Sequence, residues 1–106
     1  MLISTMNDVP GYKVTRVIGE CFGLTVRSRN AFSQIGAGLK SIVGGELVGM
    51  TKNLEKSRQE VLDRMVETAE SKGANAVLMM RFDTSEMGGN WTEICAYGTA
   101  VVVEPA

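Results

Sequence analysis

From Tyr12 the chain alternates: Tyr12, Val14, Ile18, Phe22, Leu24 and Val26 occupy even positions of YKVTRVIGECFGLTV, the two-residue period of a strand. Arg16 and Glu20 interrupt that face. Gly19 and Gly23 mark bulges or points of close backbone approach, because a glycine inside a strand leaves no side chain to pack. Ser28 and Asn30 then offer caps for a short helix in which Phe32, Ile35, Leu39 and Ile42 recur in steps of three or four, weakened by Gly36 and Gly38. A long helix is predicted from Glu46 to Lys72, with Leu47, Met50, Leu54, Leu62, Met65 and Ala69 on one stripe. Gly73 ends it, and Lys72 faces the negative end of its dipole. Val77 to Asp83 and Glu93 to Val103 read as two strands joined through SEMGGN, whose Gly88-Gly89 is a hairpin signal.

The predicted order is therefore strand, helix, helix, strand, strand. This defines an α+β, two-layer fold: a largely antiparallel sheet with a short and a long helix on one face. The last strand, EICAYGTAVVV, is apolar on both faces, so one face must be covered by something other than the helices. In a chain of this length the expected cover is a partner subunit, a second copy of the chain.

Composition narrows the function. A chain of 106 residues, 44% hydrophobic and 22% charged, fits a single domain spanning 1–106 with one core. The net charge of −1, with lysine and arginine spread along the chain, offers no basic face for nucleic acid. No basic leader precedes an apolar run, and no stretch approaches the ~20 apolar residues of a membrane helix, so the expected localisation is cytoplasmic, with no membrane partner. The two cysteines follow no CxxC spacing and read as reduced, buried thiols.

Three groups of residues carry candidate chemistry. Gly44-Gly45-Glu46 reads chiefly as a corner between helices, where exposed helix N–H groups give a secondary chance of binding a small anion. GAGLKS, just upstream, lacks the third glycine of a dinucleotide loop and the Gly-Lys spacing of a P-loop. Arg58 stands in the middle of the long helix's apolar stripe. It is expected to answer a carboxylate such as Asp83 or Glu93, to snorkel to an intersubunit seam, or to present its fork to an anionic ligand. Cys21 and Cys95, helped by one of seven methionines, could hold a soft metal ion such as Cu(I) or Zn(II) if their strands are neighbours, although core packing is the commoner use of such residues. No other cofactor is implied. Without histidine, and with no pair of carboxylates in opposed environments, no catalytic constellation is readable and an enzyme is the least favoured class.

The stretches PGY (Pro10 to Tyr12), GLTVRSRN (Gly23 to Asn30), VGGE (Val43 to Glu46), GANAV (Gly73 to Val77), RFDTSE (Arg81 to Glu86) and AYGTAVVV (Ala96 to Val103) resemble the YbjQ-like family, whose label is heavy-metal-binding. They occur in order over nearly the whole chain. The resemblance implies a small α+β subunit assembled into a ring-shaped homo-oligomer, a pentamer, of unestablished biochemical function. Met79, Met80 and Met50 depart from the family pattern without removing an identifiable catalytic group. The expected role is a homo-oligomeric binding or structural module, with a metal-binding protein using cysteine and methionine sulfurs as the alternative.

Overall fold

The computed structural model describes residues 1–28, 42–43, 46–89 and 91–106. Its elements are β1 (Leu2–Ile3), β2 (Tyr12–Ser28), β3 (Ile42–Val43), β4 (Glu46–Leu47), α1 (Val48–Ser71), β5 (Ala76–Met87) and β6 (Trp91–Pro105). Four of the strands form one sheet in the order β1-β5-β6-β2, antiparallel except for β1, which runs parallel to β5. The α+β fold and the largely antiparallel sheet are as the alternation predicts. The short predicted helix falls mostly outside the described residues.

The connection from β5 to β6 includes Gly88 and Gly89, both with positive φ (65° and 77°), a backbone that glycine adopts without steric cost. The long β2 bends through register shifts between Val14 and Arg16 and between Val17 and Gly19. At Gly23 the cause is different. A Cβ built there would lie 2.3 Å from the Val61 carbonyl oxygen and 2.5 Å from the Met65 nitrogen, so α1 rests on the bare backbone of β2.

The helix buries Ser57, Val61, Met65 and Ala69, a row in steps of four, against Cys21, Val77, Ile94, Ala96 and Ala100. Met65 and Ala69 belong to the predicted stripe; nearer the N-terminus the buried row departs from it, with Ser57 and Val61 buried, Leu54 exposed and Leu62 only half-buried. Two further corrections concern the start and end of α1. Glu46 is not a helical residue but pairs with Val43 in the small β3-β4 ladder, and α1 begins at Val48. The predicted corner at Gly44 and Gly45 lies outside the described residues. At the other end Gly73, at φ 89°, closes the helix as predicted, but the Lys72 side chain reaches β2, its Nζ donating to the Glu20 carbonyl (3.3 Å).

The second face of β6 divides in two. Towards Pro105, Val101 and Val103 pack with Ala76 and Leu78, and Val9 of the N-terminal segment lies against them. This part of the face is thus covered within the chain, contrary to the expectation that only a partner could do so. Towards Trp91 residues of the same face, Tyr97 and Trp91 among them, are exposed.

Candidate functional site

Directly paired residues on neighbouring antiparallel strands project to the same face, and the face alternates with each residue. Ala96 and Ile94 of β6 pack under α1, so Trp91, Glu93, Cys95 and Tyr97 point the other way. Their β2 partners on that face are Leu24 opposite Cys95, Phe22 opposite Tyr97 and Val26 opposite Glu93. On β5 the corresponding residues are Arg81, Asp83 and Ser85. The result is an apolar platform bordered by polar groups. Phe22, Trp91 and Tyr97 are 48%, 51% and 41% exposed, and Leu24 and Val26 are exposed beside them.

The same register separates the two candidate metal ligands. Cys21 lies opposite Gly98 and faces α1, whereas Cys95 lies opposite Leu24, three residues from Gly98, and faces the platform. Adjacent strands do carry the two thiols, but a sheet stands between them. Among the described residues no cluster of three or more cysteine and carboxylate groups is placed to hold a metal ion. The residues present therefore do not fit a thiolate metal centre within one chain.

Both thiols are displaced upward from the ordinary range. For Cys21 burial dominates, the Lys72 charge opposing it; for Cys95 burial is reinforced by Glu93, Asp83 and Glu20. Each is kept protonated near neutral pH, the reverse of what a nucleophile or thiolate ligand needs.

Arg58 is exposed on the flank of α1, with its guanidinium 4.8 Å from the centroid of Phe82. Phe82 faces the helix, while Asp83 and Glu93 face the platform, so neither expected carboxylate lies on the side of the sheet from which Arg58 approaches. The charge network that sequence reasoning missed sits nearer the sheet edge. Glu60 accepts from Arg27 through one oxygen and from Arg64 through the other (2.7 Å), and Arg64 also donates to the Leu24 carbonyl (2.7 Å). Glu60 and Arg64 are four residues apart on a helix, which was a readable signal; the partnership with β2 was not.

These features define a small α+β domain in which a helix clads one sheet face and much of the other is exposed among the described residues. Comparison with known proteins agrees with that class. The family model described as "Putative heavy-metal-binding" (YbjQ_1) matches residues 1–104. A UPF0145 protein of Streptomyces griseus is 63% identical over 103 residues, covering 97% of this chain and 85% of the relative. One from Acidothermus cellulolyticus is also 63% identical, covering 97% and 95%, and the Lactococcus lactis protein YjfJ is 52% identical, covering 98% and 95%. The chain belongs to this family, UPF0145, which is uncharacterised. A solved structure of a Pediococcus pentosaceus protein of unknown function, assigned to the DUF74 family, is similar in fold, with a TM-score of 0.58 at 14% identity over 98% of both chains. Among the described residues no helix is long and apolar enough to cross a membrane.

Proposed function

We propose that the chain is a homo-oligomeric binding or structural module, assembled as a closed ring of copies, a pentamer, in the reducing cytoplasm. One observation carries the reading: the platform of Phe22, Leu24, Val26, Trp91 and Tyr97 on the uncovered sheet face. Three half-exposed aromatics and two aliphatic neighbours present roughly 400 Å² of apolar surface, given the 150–250 Å² that each aromatic can bury. Standard interfaces bury about 800 Å² per partner with an apolar centre and a polar rim; Arg81, Asp83 and Ser85 of β5 border this patch along one side, and Glu93 stands among its β6 residues. The occupant is a second copy, since both the family resemblance and the two-sided apolar character of β6 point to self-association. The reading assigns no catalytic step, and the upward-shifted thiols support that.

The family description favours the alternative, a soft-metal protein using cysteine and methionine sulfurs. Native mass spectrometry of protein purified under reducing conditions separates the two. The expected spectrum shows a single multiple of the 11.4 kDa chain mass with no added metal. A monomer peak alone would overturn the assembly, and a stoichiometric metal adduct would favour the alternative.

A further inference from the structure

β2 is an edge strand of 17 residues, and long edges of this kind invite another strand to add to them. Two cations reach this edge from the helix. Arg64 donates to the Leu24 carbonyl at 2.7 Å and Lys72 to the Glu20 carbonyl at 3.3 Å. The two acceptors are four residues apart on an extended strand, so their carbonyls point to the same side. β6 occupies the other side of β2. A groove of about 440 Å³, lined by Phe22, Leu24, Arg64, Thr68 and Ser71, opens between this edge and the helix. Arg64 is anchored there by Glu60, which Arg27 also holds.

We infer that Arg64 and Lys72 form a strap along the β2 edge that keeps the strand of a second copy from adding there. The strap keeps contact between copies away from open-ended edge pairing. An incoming strand needs those carbonyls and the space beside them, and both are taken by charged side chains that it would have to displace and desolvate. The inference concerns the edge, so it stands or falls separately from the use of the platform as a seam.

The test replaces both cations in the full chain by Arg64→Gln with Lys72→Gln, which keeps helix-forming residues. At high protein concentration, with melting temperature and helical circular dichroism matched to wild type, large species seen by light scattering should grow roughly tenfold faster. Amide exchange at Phe22 and Leu24 should slow in those species. The charge-keeping pair Arg64→Lys with Lys72→Arg should behave as wild type. Lys72→Gln alone, which removes only the more distant contact, should grow at an intermediate rate, so the inference remains testable if the double variant folds poorly. Unchanged growth in the glutamine variants would overturn it, and so would growth that appears only where the melting temperature falls or that leaves the β2 amides unprotected.

Discussion

Gly23→Ala is expected to destabilise the fold by about 3 kcal/mol, the upper range for overpacking a tight contact. The methyl group would enter at 2.3 Å from the Val61 oxygen, 2.5 Å from the Met65 nitrogen and 2.7 Å from the Arg64 Cβ. Two of these are helix backbone atoms, which no rotamer change can move aside. Relief requires α1 to lift from β2, and that would loosen the buried contacts of Cys21, Val61 and Met65 together. Gly11→Ala provides the contrast: its φ is 85°, but nothing lies within 4 Å of an added Cβ, so the cost should be about 1 kcal/mol from backbone strain alone. Urea unfolding of the two variants measures the difference, and equal midpoints would mean that helix and strand do not meet as described.

The second large effect is on assembly. Phe22 and Tyr97 lie directly opposite each other at the centre of the platform, and both are substantially exposed in the single chain. Changing both to lysine should cost the isolated chain about 1–2 kcal/mol, through the lost aromatic pair and two like charges set opposite each other. Buried in a seam, the same lysines would put unpaired charges where apolar contacts stood, at several kcal/mol per contact and at every contact around the ring. Light scattering should therefore show the mass falling to that of one chain while the melting curve of the subunit persists. An unchanged oligomer mass in Phe22→Lys, Tyr97→Lys would show that copies meet elsewhere.

The parts of the fold that were legible in the sequence are those with a regular period. β2, β5 and β6 alternate over many residues, and Gly88-Gly89 sits between two such runs, so strands and hairpin emerge from pattern alone. The glycines at 19 and 23 were also readable as a bulge and a close approach. β1 was not, because the two residues Leu2 and Ile3 show no period and become a strand only by pairing with Ala76 and Val77. The stripe of α1 is legible at Met65 and Ala69 but not nearer the N-terminus, because the buried row there contains Ser57, which hydropathy assigns to solvent, while Leu54 is exposed. Arg58, expected within the apolar stripe, lies exposed on the flank against Phe82. Glu46 was misplaced because its pairing with Val43 gives no local signal distinct from a helix start.

The candidate site was less legible, because it depends on register between distant strands. Neither Cys21 nor Cys95 announces which face it takes. Only the pairings of Cys21 with Gly98 and of Leu24 with Cys95 show that the thiols diverge. Met79 illustrates a different limit: it adopts φ 55° at the irregularity between Leu78 and Arg81, a conformation for which glycine would be the expected residue, and nothing in its sequence neighbourhood signals it. The platform itself was half visible, as a strand apolar on both faces. What the sequence could not show was that Val9 packs over one end while Trp91 and Tyr97 at the other are exposed.

Trp91, the only tryptophan in the chain, stands on the platform and is 51% exposed in the single subunit, so it reports directly on whether that face is covered. The decisive measurement is acrylamide quenching of its fluorescence at micromolar concentration, set beside the same measurement on the Phe22→Lys, Tyr97→Lys variant. If copies meet on this face, wild-type emission should be blue-shifted and quench several-fold more slowly than the variant's. An oligomer whose Trp91 quenches as readily as the variant's would contradict the account.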